Sequence, residues 1–288
     1  MTKVLYAKPI IEESKLKLAQ KTANLKKRGF TPKMCVILVG NNPASLLYIK
    51  NKKAFCEEVG AEFELIHLDE DTTEQTFIEQ IEKVNTDKSI TGLFVQLPVS
   101  KHLKHIDISN LVNPEKDVDG FHANSSLDLY RNTEKSFIPC TPKGILNLLN
   151  HYEISIPGKN IVIIGRSYIV GKPLSLLLSN RDATVTLCHS KTINLKEITK
   201  NADIIISAVG IPKYLDSNYL SKAGNQILID VGINKDVNNK TCGDIDFENV
   251  KNHVAAITPV PGGIGPLTVN SLIENLILAT EKISSKKG

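Results

Sequence analysis

A tyrosine and a lysine lie one helical turn apart in the segment NNPASLLYIKNKKAFCEEVG. The segment follows the apolar run CVILVG, and its pattern predicts a helix that begins near Pro43 and ends at Gly60. Ser45, Tyr48 and Lys52 have the spacing i, i+3 and i+7, so they would project from one face of this helix. An amine beside a phenol can act as an acid or a base, although a surface lysine packed on a tyrosine has the same spacing.

The strand pattern GLFVQLP ends in three further candidates. Gln96, Leu97 and Pro98 would lie at the carboxyl end of this strand, and ligands usually bind at that edge of a parallel sheet. A glutamine at this place can also face solvent, and a proline can simply end the strand.

The string NPEKDVDGFHA places Asp117, Asp119 and His122 in a turn. Carboxylates in such turns commonly accept hydrogen bonds from their own backbone, which is the alternative to a role in a site. Further hard ligands are not visible nearby, so no metal site is predicted.

The second half of the chain contains a strand that runs into a glycine-rich loop, IVIIGRSYIVGKPLSLLL. The pattern predicts a helix that begins near Pro173, whose free N–H groups and dipole would favour a phosphate. Gly165 and Gly171 would let the backbone approach a pyrophosphate, and Ser167 lies in the same loop. The spacing is not G-x-G-x-x-G, and a plain strand-to-helix turn would look the same.

The next strand ends in CHSK, so it lacks the acidic residue that holds the ribose hydroxyls in a NAD-specific site. Arg166 together with Ser190 and Lys191 would instead pair with a ribose 2′-phosphate, because these cations complement phosphate charge. The runs ADIIISAVG and ILIDVGIN end in small residues, and they would bring Gly232 and Ile233 to the rim of the cofactor site. The sequence therefore favours NADP as the cofactor.

Short β-rich apolar runs alternate with helical patterns along almost the whole chain, which is typical of α/β proteins with parallel sheets. The segment TPVPGGIGPLT is too rich in proline and glycine for a helix, and an apolar-periodic helix follows it from Leu267 towards Lys282. The predicted strands are 34–39, 63–68, 92–97, 161–164, 184–188, 204–208, 227–231 and 254–257.

Composition excludes several classes of protein. The 288 residues carry 35 Lys plus Arg and 31 Asp plus Glu, and these charges are interleaved, which argues against nucleic acid as a partner. No apolar run approaches the roughly 20 residues that span a membrane, and the first residues lack a signal core. The 5 cysteines contain no C-x-x-C pair and fit a reducing compartment, so we expect a cytoplasmic protein.

Six motifs occur in the order and at about the separations of one family: SLLYIKNKKA, VQLP, KDVDGFH, PCTPKGI, GRSYIVGKP and TPVPGGIGPLT. The chain resembles bifunctional methylenetetrahydrofolate dehydrogenase/cyclohydrolase over nearly its full length. It departs from the family pattern at Ser100, where proline is common, and in VLYAKPI, which lacks the Asp-Gly often found there.

The resemblance implies an N-terminal three-layer α/β substrate domain and a Rossmann-type NADP-binding domain, with a cleft between them. Residues 1–139 would form the folate and catalytic domain, and 140–266 the NADP-binding domain. The C-terminal helix, 267–288, would pack back on the first domain.

The resemblance also implies roles for single residues. Lys52 would be the acid/base, Gln96 would orient it, and Tyr48 would stack on the folate pterin. Asp119 would bind the amino edge of the pterin and complete the catalytic set. The other implied substrate-binding residues are Ser45, Leu97, Pro98, Pro261, Gly262 and Gly263, and the implied cofactor-binding residues are Gly165, Arg166, Ser167, Gly171, Ser190, Gly232 and Ile233.

The implied activity is oxidation of 5,10-methylene-tetrahydrofolate to the 5,10-methenyl form with NADP, followed by hydrolysis to 10-formyl-tetrahydrofolate. This is the chemistry of one-carbon metabolism and purine biosynthesis, and the family implies a homodimer. Two alternatives stay open. One is an NADP-dependent dehydrogenase of another small substrate without the hydrolase, and the other is a catalytically silent nucleotide-binding protein.

Overall fold

The computed structural model describes residues 2–133 and 135–286. In chain order the strands are β1 (Lys3–Val4), β2 (Lys33–Val39), β3 (Glu62–Leu68), β4 (Gly92–Val95), β5 (Asn160–Ile164), β6 (Thr184–Cys188), β7 (Ile204–Ser207), β8 (Ile227–Asp230), β9 (Asn234–Lys235), β10 (Thr241–Cys242) and β11 (Ala256–Ile257). The α-helices are α1 (Lys8–Lys27), α2 (Pro43–Glu58), α3 (Glu74–Thr86), α4 (Ile108–Leu111), α5 (Ala123–Arg131), α6 (Cys140–His151), α7 (Gly171–Ser179), α8 (Leu195–Lys200), α9 (Phe247–Val250) and α10 (Ile264–Ser285). Across the part of the chain that the structure describes, no helix combines the length and the apolar character that a membrane crossing needs.

The chain folds into two compact units. One consists of Glu12–Cys140 and Val269–Gly288, and we call it the lysine unit because it contains Lys52. The other consists of Met1–Ile11 and Thr141–Thr268, and we call it the glycine unit after its glycine-rich loop. The helix α10 begins in the glycine unit, and most of its length belongs to the lysine unit.

The sheet of the lysine unit has the strand order β3-β2-β4, and its strands are parallel. On one face, the odd-numbered residues of β2 share a core with Phe77 and Ile81 of α3. Successive strand residues alternate between faces, so Gly92 of β4 points to the other face, where an added Cβ would lie 2.7 Å from Leu276 of α10. Helices therefore cover both faces, which confirms the predicted three-layer α/β arrangement.

The sheet of the glycine unit has the strand order β1-β11-β8-β7-β5-β6, and each neighbouring pair is parallel. Ile164 at the end of β5 pairs with Cys188 of β6 and with Ser207 of β7. Ser207 pairs in turn with Asp230 of β8. The loops that follow these strands therefore begin side by side at one edge of the sheet, as expected for a Rossmann-type unit.

The eight predicted strands are all present, with ends shifted by at most two residues. The two-residue strands β1, β9 and β10 were not predicted. Strand β1 pairs with β11 through Lys3 opposite Ala256 and Val4 opposite Ile257. The first eleven residues, which the sequence placed in the first domain, therefore group with the glycine unit.

The proline- and glycine-rich segment differs from its prediction. Helix α10 begins at Ile264, so Gly265 and Pro266 lie in its first turn rather than before it. Proline is tolerated there because N–H groups of the first turn have no partner within the helix. Helix α7 likewise begins at Gly171, two residues before the predicted Pro173. The end of the predicted C-terminal helix, 287–288, lies outside the described residues.

Candidate active site

Helix α2 carries the three candidates of the first motif. The Asn42 side chain caps this helix, since its Oδ1 accepts hydrogen bonds from the N–H groups of Ala44 at 2.9 Å and Ser45 at 3.2 Å. Ser45 and Lys52 are buried, and Tyr48 is half-buried. The spacing i, i+3 and i+7 therefore marks the inward side of a regular helix.

The amine of Lys52 is held by side chains from β4 and the segment that follows it. Its Nζ donates a hydrogen bond of 2.8 Å to Gln96 Oε1 and lies 3.5 Å from the centroid of the Phe94 ring, whose face attracts cations. Gln96 Nε2 donates to Leu97 O at 2.6 Å, which fixes the amide with its oxygen towards the lysine. Only 6% of Lys52 is exposed.

The site holds ionisable groups whose pKa values are moved towards neutrality. Burial lowers the pKa of Lys52 from its ordinary 10.5 to about 8, while the negative charges of Asp119 and Cys140 act in the opposite direction. Burial also raises the pKa of Asp119 to about 7, against the influence of Lys52. Burial raises the pKa of the Tyr48 phenol, which moves it away from neutrality, unlike the values of Lys52 and Asp119. The amine can therefore exchange a proton near neutral pH, unlike an ordinary lysine.

Asp117 organises the turn that presents Asp119. Its Oδ1 accepts a hydrogen bond from Gly120 N at 3.2 Å, and its Oδ2 accepts one from His122 N at 2.8 Å. Gly120 has φ +78°, and an added Cβ would lie 2.8 Å from Pro139 N, so the turn requires glycine. Within the described ranges, no group of three or more His, Cys, Asp or Glu side chains could hold a metal ion.

The glycines of the loop after β5 are needed for backbone packing. Gly165 has φ +120°, and an added Cβ would lie 2.2 Å from Ala208 O. An added Cβ on Gly171 would lie 1.9 Å from Gly165 O, where the start of α7 meets the end of β5. The sequence predicted these glycines for close approach to a pyrophosphate. In the structure each glycine also packs against another backbone segment, so a side chain at either position would collide with it.

Exposed polar side chains follow β5 and β6 at the same sheet edge. Gly165 N donates to Cys188 O at 2.9 Å, so the two loops start next to each other. The exposed side chains of these loops include Arg166, Ser167, Ser190 and Lys191. No acidic residue occurs in the run HSK that follows β6. These donors fit the 2′-phosphate of NADP, and the run HSK contains no carboxylate for the ribose hydroxyls of NAD.

Gly232 and Ile233 follow β8 at this edge. Gly232 is buried, and an added Cβ would lie 2.0 Å from Asp244 Oδ1, so a carboxylate occupies the space of its missing side chain. The side chain of Ile233 is half exposed, at 50%. It also lies beside the first turn of α10, 3.1 Å from the place of a Cβ on Gly265.

The segment before α10 also lies in the glycine unit. Pro261 is exposed, Gly262 is half-buried and Gly263 is buried. Gly262 O accepts a hydrogen bond of 2.8 Å from Ala7 N. An added Cβ on Gly263 would lie 2.6 Å from Pro259 O, so the bend is too tight for another residue.

Each unit collects its own set of predicted residues, whose roles stay predictions. The lysine unit holds Ser45, Tyr48, Lys52, Gln96, Leu97, Pro98 and Asp119. The glycine unit holds Gly165, Arg166, Ser167, Gly171, Ser190, Gly232, Ile233, Pro261, Gly262 and Gly263. Sequence reasoning missed Phe94 and Cys140. Phe94 could have been found, because it lies two residues before Gln96 and alternation places both on one face. Cys140 offers no such local signal.

The chain matches two family models. The model of the tetrahydrofolate dehydrogenase/cyclohydrolase catalytic domain matches residues 5–119, and that of the NAD(P)-binding domain matches residues 139–284. The chain is 44% identical over 279 residues to the bifunctional protein FolD of Staphylococcus haemolyticus, covering 97% of each chain. It is also 44% identical over 282 residues to FolD of Agathobacter rectalis, covering 98% of this chain and 100% of that one.

Solved structures show the same fold. The bifunctional FolD of Campylobacter jejuni superposes with a TM-score of 0.94 at 40% identity, covering 98% of this chain and 100% of that chain. The Trypanosoma brucei dehydrogenase-cyclohydrolase, solved with NADP cofactor and an inhibitor, gives a TM-score of 0.92 at 28% identity and covers 98% of both chains.

Proposed function

The chain belongs to the tetrahydrofolate dehydrogenase/cyclohydrolase family, and we propose that it catalyses both reactions of that family. It oxidises 5,10-methylene-tetrahydrofolate with NADP and hydrolyses the resulting 5,10-methenyl-tetrahydrofolate to 10-formyl-tetrahydrofolate. The observation that carries this proposal is the buried Lys52 amine, hydrogen-bonded to Gln96 and poised to titrate near neutral pH.

The oxidation requires positioning more than proton transfer. NADP supplies the hydride acceptor when it is bound. In the lysine unit, Tyr48 stacks on the pterin, and Asp119 binds its amino edge. Ser45, Leu97 and Pro98 complete the folate contacts. The burial of Ser45 and the exposure of Leu97 and Pro98 are compatible with these parts.

The hydrolysis requires a titrating group. Water adds to the methenyl carbon and loses a proton, and the bond from that carbon to one ring nitrogen then breaks as the nitrogen gains a proton. Neutral Lys52 takes the proton from water, and the resulting ammonium returns it to the nitrogen. The cationic methenyl substrate lowers the pKa of Lys52 further, in the same direction as burial.

The glycine unit binds NADP at the carboxyl edge of its sheet. The loop Gly165 to Ser167 and the start of α7 at Gly171 receive the pyrophosphate, and Arg166 with Ser190 receives the 2′-phosphate. Gly232 and Ile233 form the rim. The segment Pro261 to Gly263 lines the folate side, where its glycines permit close approach of the backbone.

The family resemblance also supports an oligomeric state, a cellular location and a pathway. The protein acts as a homodimer in the cytoplasm, and its 10-formyl product supplies purine biosynthesis. Gel filtration with light scattering checks the homodimer directly, since a monomeric mass would contradict it.

The function is tested with the purified wild-type protein. Methylene-tetrahydrofolate is supplied with NADP or NAD, and the absorbance bands of reduced nicotinamide and of methenyl-tetrahydrofolate are followed together. We expect the reduced nicotinamide to form faster with NADP, while the methenyl band stays low because hydrolysis removes it. Lasting accumulation of the methenyl band would indicate a dehydrogenase without the hydrolase. The absence of reduced nicotinamide would contradict the proposal.

A further inference from the structure

Two buried aspartates in the glycine unit have no part in the function proposed above. Asp230 ends β8 and Asp244 lies between β10 and α9, and they are 3% and 0% exposed. Each carboxylate lies against a glycine. An added Cβ on Gly232 would lie 2.0 Å from Asp244 Oδ1, and one on Gly243 would lie 1.9 Å from Asp230 Oδ2. Both positions are glycine, and the carboxylates occupy the space that a side chain would fill.

The Asp244 carboxylate joins the loops that follow β7 and β8. Its Oδ2 accepts hydrogen bonds from the N–H groups of Val209 at 2.7 Å and Gly210 at 3.2 Å. Its Oδ1 accepts from Ile211 N at 3.1 Å and from Asn234 Nδ2 at 2.9 Å. Three successive backbone N–H groups that converge on one anion form a nest, so this carboxylate sets the course of the loop after β7.

Asp230 holds the backbone that carries Asp244. Its Oδ1 accepts from Asp244 N at 2.9 Å and from Gly232 N at 3.0 Å, and its Oδ2 accepts from Ile245 N at 2.8 Å. Burial, with a smaller contribution from the negative charge of Asp244, raises the pKa of Asp230 to about 7. Burying two carboxylates in one region is unfavourable unless hydrogen bonds compensate, and groups with such perturbed pKa values cluster at functional sites.

The two loops joined by Asp244 are those that the sequence assigned to the rim of the cofactor site. Ile211 in the first and Ile233 in the second are each 50% exposed, although the carboxylate beneath them is fully buried. The first loop also packs on the glycine-rich loop, since a Cβ on Gly165 would lie 2.2 Å from Ala208 O. Two half-exposed isoleucines therefore lie in loops that the Asp244 carboxylate holds through hydrogen bonds.

We propose that Asp244, held by Asp230, is a positioning residue that fixes the loops against which the nicotinamide ring of NADP lies during hydride transfer. This inference rests on the proposed function. Hydride transfer is sensitive to small displacements of the reacting rings. Loss of the Asp244 contacts therefore slows hydride transfer, while the adenosine half of NADP, assigned to Arg166 and Ser190, still binds.

The test uses Asp244→Asn, which keeps the size of the side chain but replaces one acceptor oxygen by an NH₂ donor. We expect kcat of the dehydrogenase to fall roughly tenfold or more, with a smaller change in KM for NADP. The primary deuterium isotope effect on kcat should rise, because hydride transfer becomes slower than product release. Hydrogen exchange of the amides Val209 to Ile211 in the cofactor-free protein should accelerate.

Two measurements should stay within about twofold of the wild type, the scatter allowed for a single unaffected interaction. These are the affinity for adenosine 2′,5′-bisphosphate, which probes the assigned 2′-phosphate site alone, and the rate of methenyl-tetrahydrofolate hydrolysis. The matched control is Asp236→Asn in the turn between β9 and β10, where the aspartate accepts only local turn hydrogen bonds from Asn238 and Lys240 among those described. It should change none of these quantities.

A second variant guards against loss of folding. Asn234→Ala removes one donor from Asp244 Oδ1 and leaves the carboxylate in place, so kcat should fall in the same direction but by less. An unchanged kcat in Asp244→Asn, with an active wild type, overturns the inference. Loss of adenosine 2′,5′-bisphosphate binding in both variants also overturns it, because the aspartate would then act on the whole unit. A wild-type protein without dehydrogenase activity overturns the proposed function, and this inference with it.

Discussion

The lysine unit and the glycine unit each bury a charged side chain, but they provide it with different partners. Lys52 donates to a neutral amide oxygen of Gln96 and lies over the Phe94 ring. Asp244 accepts hydrogen bonds from three successive backbone N–H groups and from the amide of Asn234. Both charges are removed from water, which is unfavourable unless polar partners replace it.

The different partners of Lys52 and Asp244 indicate two different uses of a buried charge. Partial compensation leaves the amine of Lys52 with a pKa lowered to about 8, so its proton is mobile under physiological conditions. Hydrogen bonds from several fixed backbone donors instead tie the Asp244 carboxylate to one geometry. We infer that the buried charge of the lysine unit supplies proton chemistry, whereas the buried charge of the glycine unit supplies position. The following predictions test this division.

Replacement of Lys52 should have the largest effect, which is on the rate of hydrolysis. Lys52→Met keeps the aliphatic stem but removes the amine, so hydrolysis of 5,10-methenyl-tetrahydrofolate should fall by about 10²–10⁴-fold, the usual contribution of a general acid or base. Decay of the methenyl absorbance measures this rate. Adenosine 2′,5′-bisphosphate should bind as it does to the wild type.

Lys53→Met is the matched control for this variant. Lys53 lies on the same helix, but its side chain is 56% exposed and its Nζ is 3.8 Å from Glu57 Oε1. Such an exposed pair contributes little, so hydrolysis should be unchanged. If Lys52→Met hydrolyses the substrate as fast as Lys53→Met, the amine has no part in the reaction.

Much of the fold and of the lysine site could be predicted from the sequence, because these features follow local patterns. The alternation of short strands with helices predicted the parallel sheets, and the spacing of Tyr48 and Lys52 predicted their shared helix face. The strand pattern placed Gln96 at a sheet edge where ligands usually bind, and only the family resemblance implied that it orients the lysine. The structure places Gln96 Oε1 2.8 Å from Lys52 Nζ.

The rest depends on contacts that have no local pattern. The pairing of β1 with β11 joins residues more than 250 positions apart. Asp244 occurs in the run CGDIDF, which resembles an ordinary turn, and its three backbone donors lie 33–35 residues earlier in the chain. The start of α10 was missed because proline and glycine disfavour helices on average, whereas a first turn accepts them.

Substitution of Arg166 tests the inference that the glycine unit binds and positions the cofactor. Arg166→Ala removes an exposed guanidinium from the loop after β5, so binding of NADP should weaken by about 10–100-fold, as expected for a lost hydrogen bond to a charged group. The KM for NAD should change much less, because NAD has no 2′-phosphate. Steady-state kinetics with both cofactors measure this difference.

Arg166→Lys is the graded control. It keeps the positive charge but loses the planar fork, so its KM for NADP should lie between those of the wild type and Arg166→Ala. Equal losses for NADP and NAD in Arg166→Ala would show that other groups recognise the 2′-phosphate.

Gln96 tests whether the proton of Lys52 controls hydrolysis. In the wild type, kcat/KM for hydrolysis should rise with pH through about pH 8, because kcat/KM reports the substrate-free enzyme, in which burial lowers the pKa of Lys52 to about 8. Gln96→Glu puts a carboxylate beside the amine and favours its charged form, so the profile should move to higher pH by about 1 unit or more. The rate at pH 7 falls accordingly. Gln96→Met, which adds no charge, should lower the rate without this alkaline shift.

Replacement of Phe94 should have the smallest effect, and it should shift the pH profile of hydrolysis in the opposite direction from Gln96→Glu. The ring face, 3.5 Å from Lys52 Nζ, stabilises the charged amine. Phe94→Leu removes this interaction but keeps an apolar side chain, so the pKa of Lys52 should fall further and the hydrolysis profile should move to lower pH. A cation–π contribution of about 0.5–1 kcal/mol corresponds to a shift of about half a pH unit. The pH profile of methenyl-tetrahydrofolate hydrolysis, measured beside that of Gln96→Glu, resolves the two signs. Shifts in the same direction in both variants would mean that a group other than Lys52 sets the profile.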